Sequence, residues 1–334
     1  MSWHLRDSGL KEEKEMSKLI RQIALVSESK RVDMSELSAV SAALQRQVTR
    51  DVCPIWDLSA TVDAFPTLED VPIAYWPMIV MDDIGYDGAA GIHLDKDGQP
   101  FALISSSDEN DVWSLTASHE CLEMLVDPFG DRLMAGDSPK RDQGRVLFLV
   151  EVCDPSEAAE FAYSVNGVLV SDFYTPAFFD PVTADGVRYS FTNAIREPRD
   201  VLPGGYLSWQ DPETEDWWQE TWFGGPESSF RNLGQLSAMN GSIRSQVDRI
   251  TAEARSKSMA RGRAVATAAG LTRGAVRRST SAKAASLRAQ IEKIVGTPAG
   301  PPGNGSREAT GTDAVRSHRR SAPLVSRVLP TGRG

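Results

Sequence analysis

Cysteine and histidine are scarce in this 334-residue chain, which contains three Cys and four His. Cys53, Cys121 and Cys153 are odd in number and lie among apolar residues, a pattern that argues against a disulfide scaffold and favours a reducing compartment. So few cysteines also exclude a zinc site built from cysteine alone.

Long apolar runs are also missing from the sequence. No stretch approaches the roughly 18 apolar residues that a membrane-spanning helix needs, and the N-terminus Met-Ser-Trp-His-Leu-Arg-Asp lacks the apolar core of a signal peptide. We therefore expect no membrane partner and a cytoplasmic location. Delivery by a route that needs no such signal, or inside a virion, stays open.

The net charge of −10 conceals an uneven distribution along the chain. Residues 241–334 carry 18 Lys and Arg against 5 Asp and Glu, whereas residues 1–240 carry 18 against 41. An acidic body followed by a basic tail suits weak binding of nucleic acid or of an acidic partner through the tail. The tail has no base-stacking aromatic residues, so sequence-specific readout is not expected.

The stretch from Trp113 to Pro128 is predicted to form one helix. Its polar side chains fall at offsets of 0, 3, 4, 7 and 11, which at about 100° per residue form a single stripe. They are Thr116, His119, Glu120, Glu123 and Asp127. Nearly all other positions are apolar, so the helix is predicted to be buried. Because unpaired buried charge is very costly, one His and two Glu on its remaining face need a partner.

The spacing His119-Glu120-x-x-Glu123 resembles the H-E-x-x-H metallopeptidase pattern with its second His replaced by Glu. Positions i and i+4 place two ligands one turn apart, within reach of one metal ion, and carboxylate is an acceptable zinc ligand. Glu120 lies beside them, where it can take a proton from a metal-bound water. The alternative is a capped, ion-paired helix without a metal.

The order of predicted elements before this helix is strand, helix and four strands. This order resembles the N-terminal half of the zincin metallopeptidases, most of all the metzincin arrangement. The resemblance implies an α+β fold with a zincin-like twisted mixed sheet, a backing helix and an active-site helix. The predicted divisions are an N-terminal extension (1–21), the zincin-like subdomain (22–128), a β-rich subdomain with a Trp-rich flap (129–227) and a basic, partly helical tail (228–334), disordered from about 297.

A second resemblance is to uncharacterised bacterial and phage proteins with a Ser-His-Glu-x-x-Glu-Met-Leu-x-Asp-Pro motif. In this chain the motif spans residues 118–128, and it lies between a Gly91-Ile-His93 strand and Glu151-Val-Cys-Asp-Pro155. No G-x-x-H follows the helix, because Asp127-Pro128 stops it. The third zincin ligand is therefore missing from its usual place.

Other residues are candidates to complete a metal site. Asp154 and Glu151 end the strand that follows the helix, and we favour Asp154 because the Asp-Pro bond fixes its backbone; the alternative is that Asp154 caps a turn. Asp172 is a further candidate. His93 is predicted to ligate the metal or to donate to an oxyanion, against the alternative of an ordinary strand histidine. The oxyanion donor could also be a tyrosine. The candidates are Tyr163, Tyr174 and Tyr189.

These features predict a metal-dependent hydrolase, most simply a peptidase acting on a peptide or protein substrate. Zn²⁺ would be held by His119, Glu123 and a downstream carboxylate, with Glu120 as general base, and carboxylate ligands would also admit Mn²⁺ or Fe²⁺. One alternative is a catalytically inactive zincin-like module in a phage particle or secretion-linked assembly. The other is a protein that acts on nucleic acid through its tail.

Overall fold

The computed structural model describes residues 19–86, 89–107, 112–237, 239, 241–251, 285–286 and 288–290. The chain divides by its internal contacts into two compact units, Met1–Leu287 and Arg288–Gly334. The sheets and helices below belong to the first unit. The predicted N-terminal extension up to residue 18 and the segment from 297 lie outside the described residues. Within the described part, no helix is both long enough and apolar enough to cross a membrane.

The first sheet contains five strands in the order β2-β1-β3-β5-β4. They are β1 (Arg21–Ser27), β2 (Ala60–Phe65), β3 (Trp76–Met81), β4 (Gly91–Lys96) and β5 (Gln99–Ser105). Four strands run parallel, and β4 pairs antiparallel with β5 at the edge. Asp97 and Gly98 join β4 to β5 with φ values of 54° and 77°, which suits the tight hairpin that their Asp-Gly sequence predicts. The sheet is mixed, as the sequence predicts.

One helical segment covers this sheet. The sequence Asp33-Met-Ser-Glu36 predicts a capped helix start, and helix α1 (Met34–Gln47) begins there, where the Asp33 side chain accepts a hydrogen bond from Glu36 N at 2.9 Å. The chain continues through a π-helical turn (Val48–Val52) into helix α2 (Cys53–Trp56). From the sequence, Pro54 is expected to end the helix that begins at Asp33. This expectation is wrong, because Pro54 lies in the first turn of α2, where proline is tolerated.

Helix α3 (Trp113–Val126) is the predicted motif helix, and it lies in the interior between the first sheet and the strands that follow. Gln47 fixes its position from α1. The Gln47 side chain accepts a hydrogen bond from Ser118 Oγ at 2.8 Å and donates one to Ser171 O at 3.0 Å. Trp113 Nε1 donates to Glu36 Oε1 at 2.8 Å. The rotation of α3 about its axis is therefore set by side-chain hydrogen bonds in addition to apolar packing.

A second five-stranded sheet follows α3, with the order β12-β11-β10-β7-β6, and all of its pairings are antiparallel. Its strands are β6 (Leu133–Asp137), β7 (Arg145–Leu149), β10 (Tyr206–Gln210), β11 (Trp217–Thr221) and β12 (Ser229–Gly234). Between β7 and β10 the chain forms a small hairpin of β8 (Tyr163–Val165) and β9 (Val168–Val170). The Asn166-Gly167 turn predicts this hairpin correctly.

The Trp-rich segment is part of the second sheet and not a flap laid over the body. Trp209 on β10 and Trp217 on β11 are almost completely buried. The predicted division at 228 falls at the start of β12, which pairs with β11. Residues 243–251 are helical and form α4, which packs Val247 against the second sheet. Part of the predicted tail is thus integral to the fold.

Candidate metal centre

A cluster of buried polar side chains lies where four segments meet: strand β4, helix α3, the residues after β7 and helix α4. We call it the central cluster. Its members are His93, His119, Glu120, Glu123, Glu151, Asp154 and Arg244, none of them more than 7% exposed. The structure therefore brings together all six of the predicted site residues. It adds an arginine that the sequence does not suggest.

His119 lies between two carboxylates. Its Nε2 is 3.2 Å from Glu123 Oε2 and 3.3 Å from Asp154 Oδ1, yet it makes a hydrogen bond to neither. Two ligands of a tetrahedral zinc ion, each about 2.0–2.1 Å from the metal, lie about 3.3 Å apart. The two separations at His119 therefore match those of ligands that share one ion.

Glu123 is the centre of the cluster, and its two oxygens have different partners. Oε1 accepts a hydrogen bond from Cys153 N at 3.2 Å. Oε2 accepts one from Arg244 Nη1 at 2.6 Å and also faces His119. The backbone segment after β7 thus orients the carboxylate so that one oxygen points at the ligands of the other segments.

His93 on β4 points into the cluster. Its Nε2 lies 3.0 Å from Asp127 O, and because a carbonyl only accepts, Nε2 carries the hydrogen. In the neutral imidazole, Nδ1 then presents its lone pair to Glu120 Oε2 at 3.5 Å and Glu123 Oε2 at 3.9 Å, and it makes no hydrogen bond. A ring N–H donated to a backbone carbonyl is the usual way to orient a metal-ligating histidine.

Glu120 is held against β4 by the close approach of Gly91. A Cβ added at Gly91 would lie 2.6 Å from Thr116 Cγ2 and 2.8 Å from Glu120 Cγ. Glycine is thus required where the strand crosses α3. Glu120 Oε2 makes no hydrogen bond, which leaves it free to accept a proton.

Arg244 on α4 is the main residue that the sequence analysis missed. Its Nη1 donates to Glu123 and Glu151 and lies 3.6 Å from Asp154 Oδ2, while its Nε donates to Asp248 Oδ2 at 2.7 Å. The one local signal for it is the i, i+4 spacing of Arg244 and Asp248 within a stretch of helical apolar periodicity. Nothing local indicates that this pair lies in the core.

The cluster holds more negative than positive charge. Burial raises the pKa of Glu151 well above its usual value, and the Arg244 guanidinium offsets this only in part. Burial and the charge of Glu123 likewise raise the pKa of Asp154. For Glu123 burial acts in the same direction, but Arg244 and His119 outweigh it and hold its pKa well below the usual value. The Arg244 guanidinium thus outweighs burial, together with His119, at Glu123 but not at Glu151 or Asp154.

The imidazole of His119 responds to the same charges. Burial alone would lower the pKa of His119, but Glu123 and Asp154 outweigh it and raise that pKa well above its usual value. For Arg244, burial also acts to lower the pKa, and Asp248, Glu123 and Glu151 outweigh it. Both cations are stabilised by carboxylates at this site, and a divalent cation would be stabilised in the same way.

Among the residues that the structure describes, three groups of side chains have possible ligand atoms within 4.8 Å of one another. They are His119–Glu123–Cys153, His93–Glu123–Glu151 and His119–Asp154–Glu157. Burial raises the pKa of the Cys153 thiol well above its usual value, which disfavours the thiolate as a ligand. Glu123 and Asp154 each lie with His119 but in different groups, so His119, Glu123 and Asp154 do not together form one of the three. The prediction that Glu151 and Asp154 end the strand is wrong, because β7 stops at Leu149 and Asp154 begins a 3-10 helix (Asp154–Ser156) beyond it.

The remaining predicted candidates have other contacts. Asp127 Oδ2 accepts from Arg132 N at 2.9 Å and so ends α3, and Asp172 Oδ1 accepts from Thr192 N at 2.8 Å. Neither belongs to the three groups of possible ligands.

The three tyrosines also differ in their surroundings. The Tyr163 hydroxyl donates to Asp51, and the Tyr189 hydroxyl accepts from Ala184 N. The Tyr174 hydroxyl has no hydrogen-bond partner. Burial, and next the charge of Glu151, raise its pKa well above the usual value. Tyr174 is therefore the tyrosine whose hydroxyl is influenced by the cluster.

Comparison of the chain with protein-family models, with curated proteins and with solved structures finds no match in any of the three. The geometry of the central cluster is thus the basis for any functional conclusion.

Proposed function

We propose that this protein is a metal-dependent hydrolase with a zincin-like centre, in which His119, Glu123 and Asp154 hold the ion. One observation carries the proposal: the unpartnered His119 Nε2 lies 3.2 Å and 3.3 Å from oxygens of two buried carboxylates. Two buried carboxylates around one imidazole nitrogen are stabilised by a cation, which is either the protonated imidazole itself or a bound metal ion.

The arrangement of strands around α3 supports the proposed similarity to zincins. In zincins a mixed sheet precedes the helix that carries the His-Glu motif, and the antiparallel edge strand runs along the substrate cleft. Here β4 is the antiparallel edge strand, and it contacts α3. His93 on β4 and Glu120 on α3 lie next to each other at this contact. The proposal thus joins a motif to the sheet arrangement in which that motif functions.

When bound, zinc supplies a Lewis acid that lowers the pKa of a coordinated water to about 7. Glu120 is the general base, because its Oε2 is buried, unpartnered and adjacent to the proposed ligands. His93 Nδ1 lies 3.5 Å from Glu120 Oε2. Tyr174 is the candidate hydroxyl donor to a developing oxyanion.

The carboxylate ligands affect the choice of metal and the strength of catalysis. Glu123 and Asp154 donate more negative charge than two histidines would, so a bound ion is a weaker Lewis acid. Carboxylate ligands also allow Mn²⁺ or Fe²⁺ to bind in place of Zn²⁺. The proposed substrate is a peptide or protein. Because every cluster residue is buried, turnover requires part of the surrounding structure to move.

The same burial favours a second candidate function. Closed metal sites are typical of structural roles, whereas catalytic sites keep an open position. A zincin-like module that binds its metal for stability and does not turn over fits the low exposure of His119, which is 7%. Binding of nucleic acid through the basic residues remains a prediction, since most of them lie outside the described residues.

Metal analysis of the purified full-length protein tests the proposal. We expect one equivalent of zinc or manganese per chain, lost in His119→Ala and Glu123→Ala and kept in Glu120→Gln. Hydrolysis of an unfolded protein such as casein should be lost in Glu120→Gln but kept in the control Glu160→Gln, which changes an exposed carboxylate. Metal without hydrolysis selects the structural module. Absence of bound metal in the wild-type protein would contradict both the hydrolase and the structural module.

A further inference from the structure

Glu123 belongs to two separate groups of possible ligands. On one side it lies with His119, and on the other it lies with His93 and Glu151. The second group has its own unpartnered atoms. His93 Nδ1 and Glu151 Oε1 are both buried without a hydrogen bond. Two ligand groups that share one carboxylate resemble the bridged arrangement of two-metal hydrolases, whose ions lie about 3.5–4 Å apart.

A cation already lies on this second side, and it is Arg244. Its Nη1 donates hydrogen bonds to both Glu123 Oε2 and Glu151 Oε2. The guanidinium therefore takes the place between the two carboxylates, where a metal would bind. It carries one positive charge and donates to the two carboxylates, and neither its Nη2 nor His93 Nδ1 makes a hydrogen bond.

We propose that the position between Glu123 and Glu151 is a second divalent-cation site, which Arg244 and a metal ion occupy alternatively. His93 Nδ1, Glu123 and Glu151 are its ligands when the guanidinium is absent. The proposal rests on the proposed function, because Glu123 also serves the first ion. With Arg244 in place the centre holds one metal, and without it the centre holds two.

The attachment of α4 shows how Arg244 can be displaced without changing a charge. Arg244 N donates to Gly130 O at 3.0 Å, and Gly130 has a φ of 63°. A Cβ added at Gly130 would lie 2.7 Å from Arg244 Cβ. The substitution Gly130→Ala therefore pushes the start of α4 outward while every carboxylate of the cluster is retained.

The test compares metal stoichiometry in full-length variants dialysed against Zn²⁺ or Mn²⁺ alone and analysed by elemental analysis and native mass spectrometry. We expect Arg244→Gln to bind one equivalent more than the wild type. The extra equivalent should disappear in Arg244→Gln combined with Glu151→Gln. Arg244→Lys keeps the charge, and Arg249→Gln changes an exposed arginine of the same helix. Both controls should match the wild type.

Arg244→Gln leaves buried carboxylates without their cation and can fail to fold without metal. Gly130→Ala is then the deciding variant, and it should also gain an equivalent, with a higher Tm in Zn²⁺ than in chelator. Equal stoichiometry of the wild type and the folded variants would overturn the second site. This result is distinct from failure of the proposed function, which is shown by a wild type that binds no metal.

Discussion

The contact between Gly91 and α3 leads to a quantitative prediction for Gly91→Ala. The new Cβ would lie 2.6 Å from Thr116 Cγ2 and 2.8 Å from Glu120 Cγ, whereas carbon atoms pack at about 3.5–4.0 Å. An overlap of about 1 Å on two neighbours is overpacking, which typically costs about 1–3 kcal/mol. The loss of backbone freedom in the unfolded chain offsets about 0.4–1 kcal/mol of this.

Gly144→Ala is the matched control, because its Cβ would meet nothing within 4 Å. The unfolded-state effect is common to both variants, so the difference between their free energies of unfolding isolates the clash. We expect Gly91→Ala to be less stable than Gly144→Ala by about 1–3 kcal/mol in urea denaturation. Thr116→Ser removes the nearest methyl group and should restore part of the loss. Equal stability of the two alanine variants would refute the close crossing of β4 over α3.

Two further predictions concern the interior around α3. Burial raises the pKa of Cys121 to about 12, and Cys153 is equally buried. A thiol reagent at about pH 8 should therefore modify at most Cys53 in the native protein and all three cysteines after unfolding. Rapid reaction of three thiols in the native state would contradict the burial of α3. Gln47→Leu removes the acceptor of the Ser118 hydroxyl and the donor to Ser171 O, while Ser118 Oγ still accepts from Ser171 N. The free energy of unfolding should fall by about 1–3 kcal/mol for each of the two groups that stays unsatisfied and away from water. An unchanged urea midpoint would show that these hydrogen bonds do not position α3.

Local chemistry explains which parts of the fold are predictable. Asp97-Gly98 and Asn166-Gly167 specify their hairpins because both residues of each pair adopt positive φ. The Asp33 cap likewise specifies the start of α1. The end of that helical segment is not predictable from Pro54, since a proline is compatible both with stopping a helix and with beginning the next one.

The candidate site likewise contains some residues that the sequence predicts and others that it cannot predict. The i, i+4 spacing places His119 and Glu123 together before any tertiary contact forms. The side chains of Asp154 and His93 join them through packing of separate elements, and the sequence can only offer them as candidates. Arg244 contacts Glu123 across 121 positions and Glu151 across 93. No periodicity or motif in the sequence can indicate a contact between residues so far apart. Composition alone therefore assigns Arg244 to a basic tail.

The long separation between Arg244 and its carboxylates also affects the order in which the protein is made. On the ribosome, the segment that contains His93, Glu123 and Asp154 emerges before residue 244 does. During that interval the carboxylates have no guanidinium to pair with, and closing so long a loop is slow relative to local folding. Under the proposed function, a metal ion can therefore reach these carboxylates before the Arg244 guanidinium does. The order of synthesis would then place metal binding before the docking of α4.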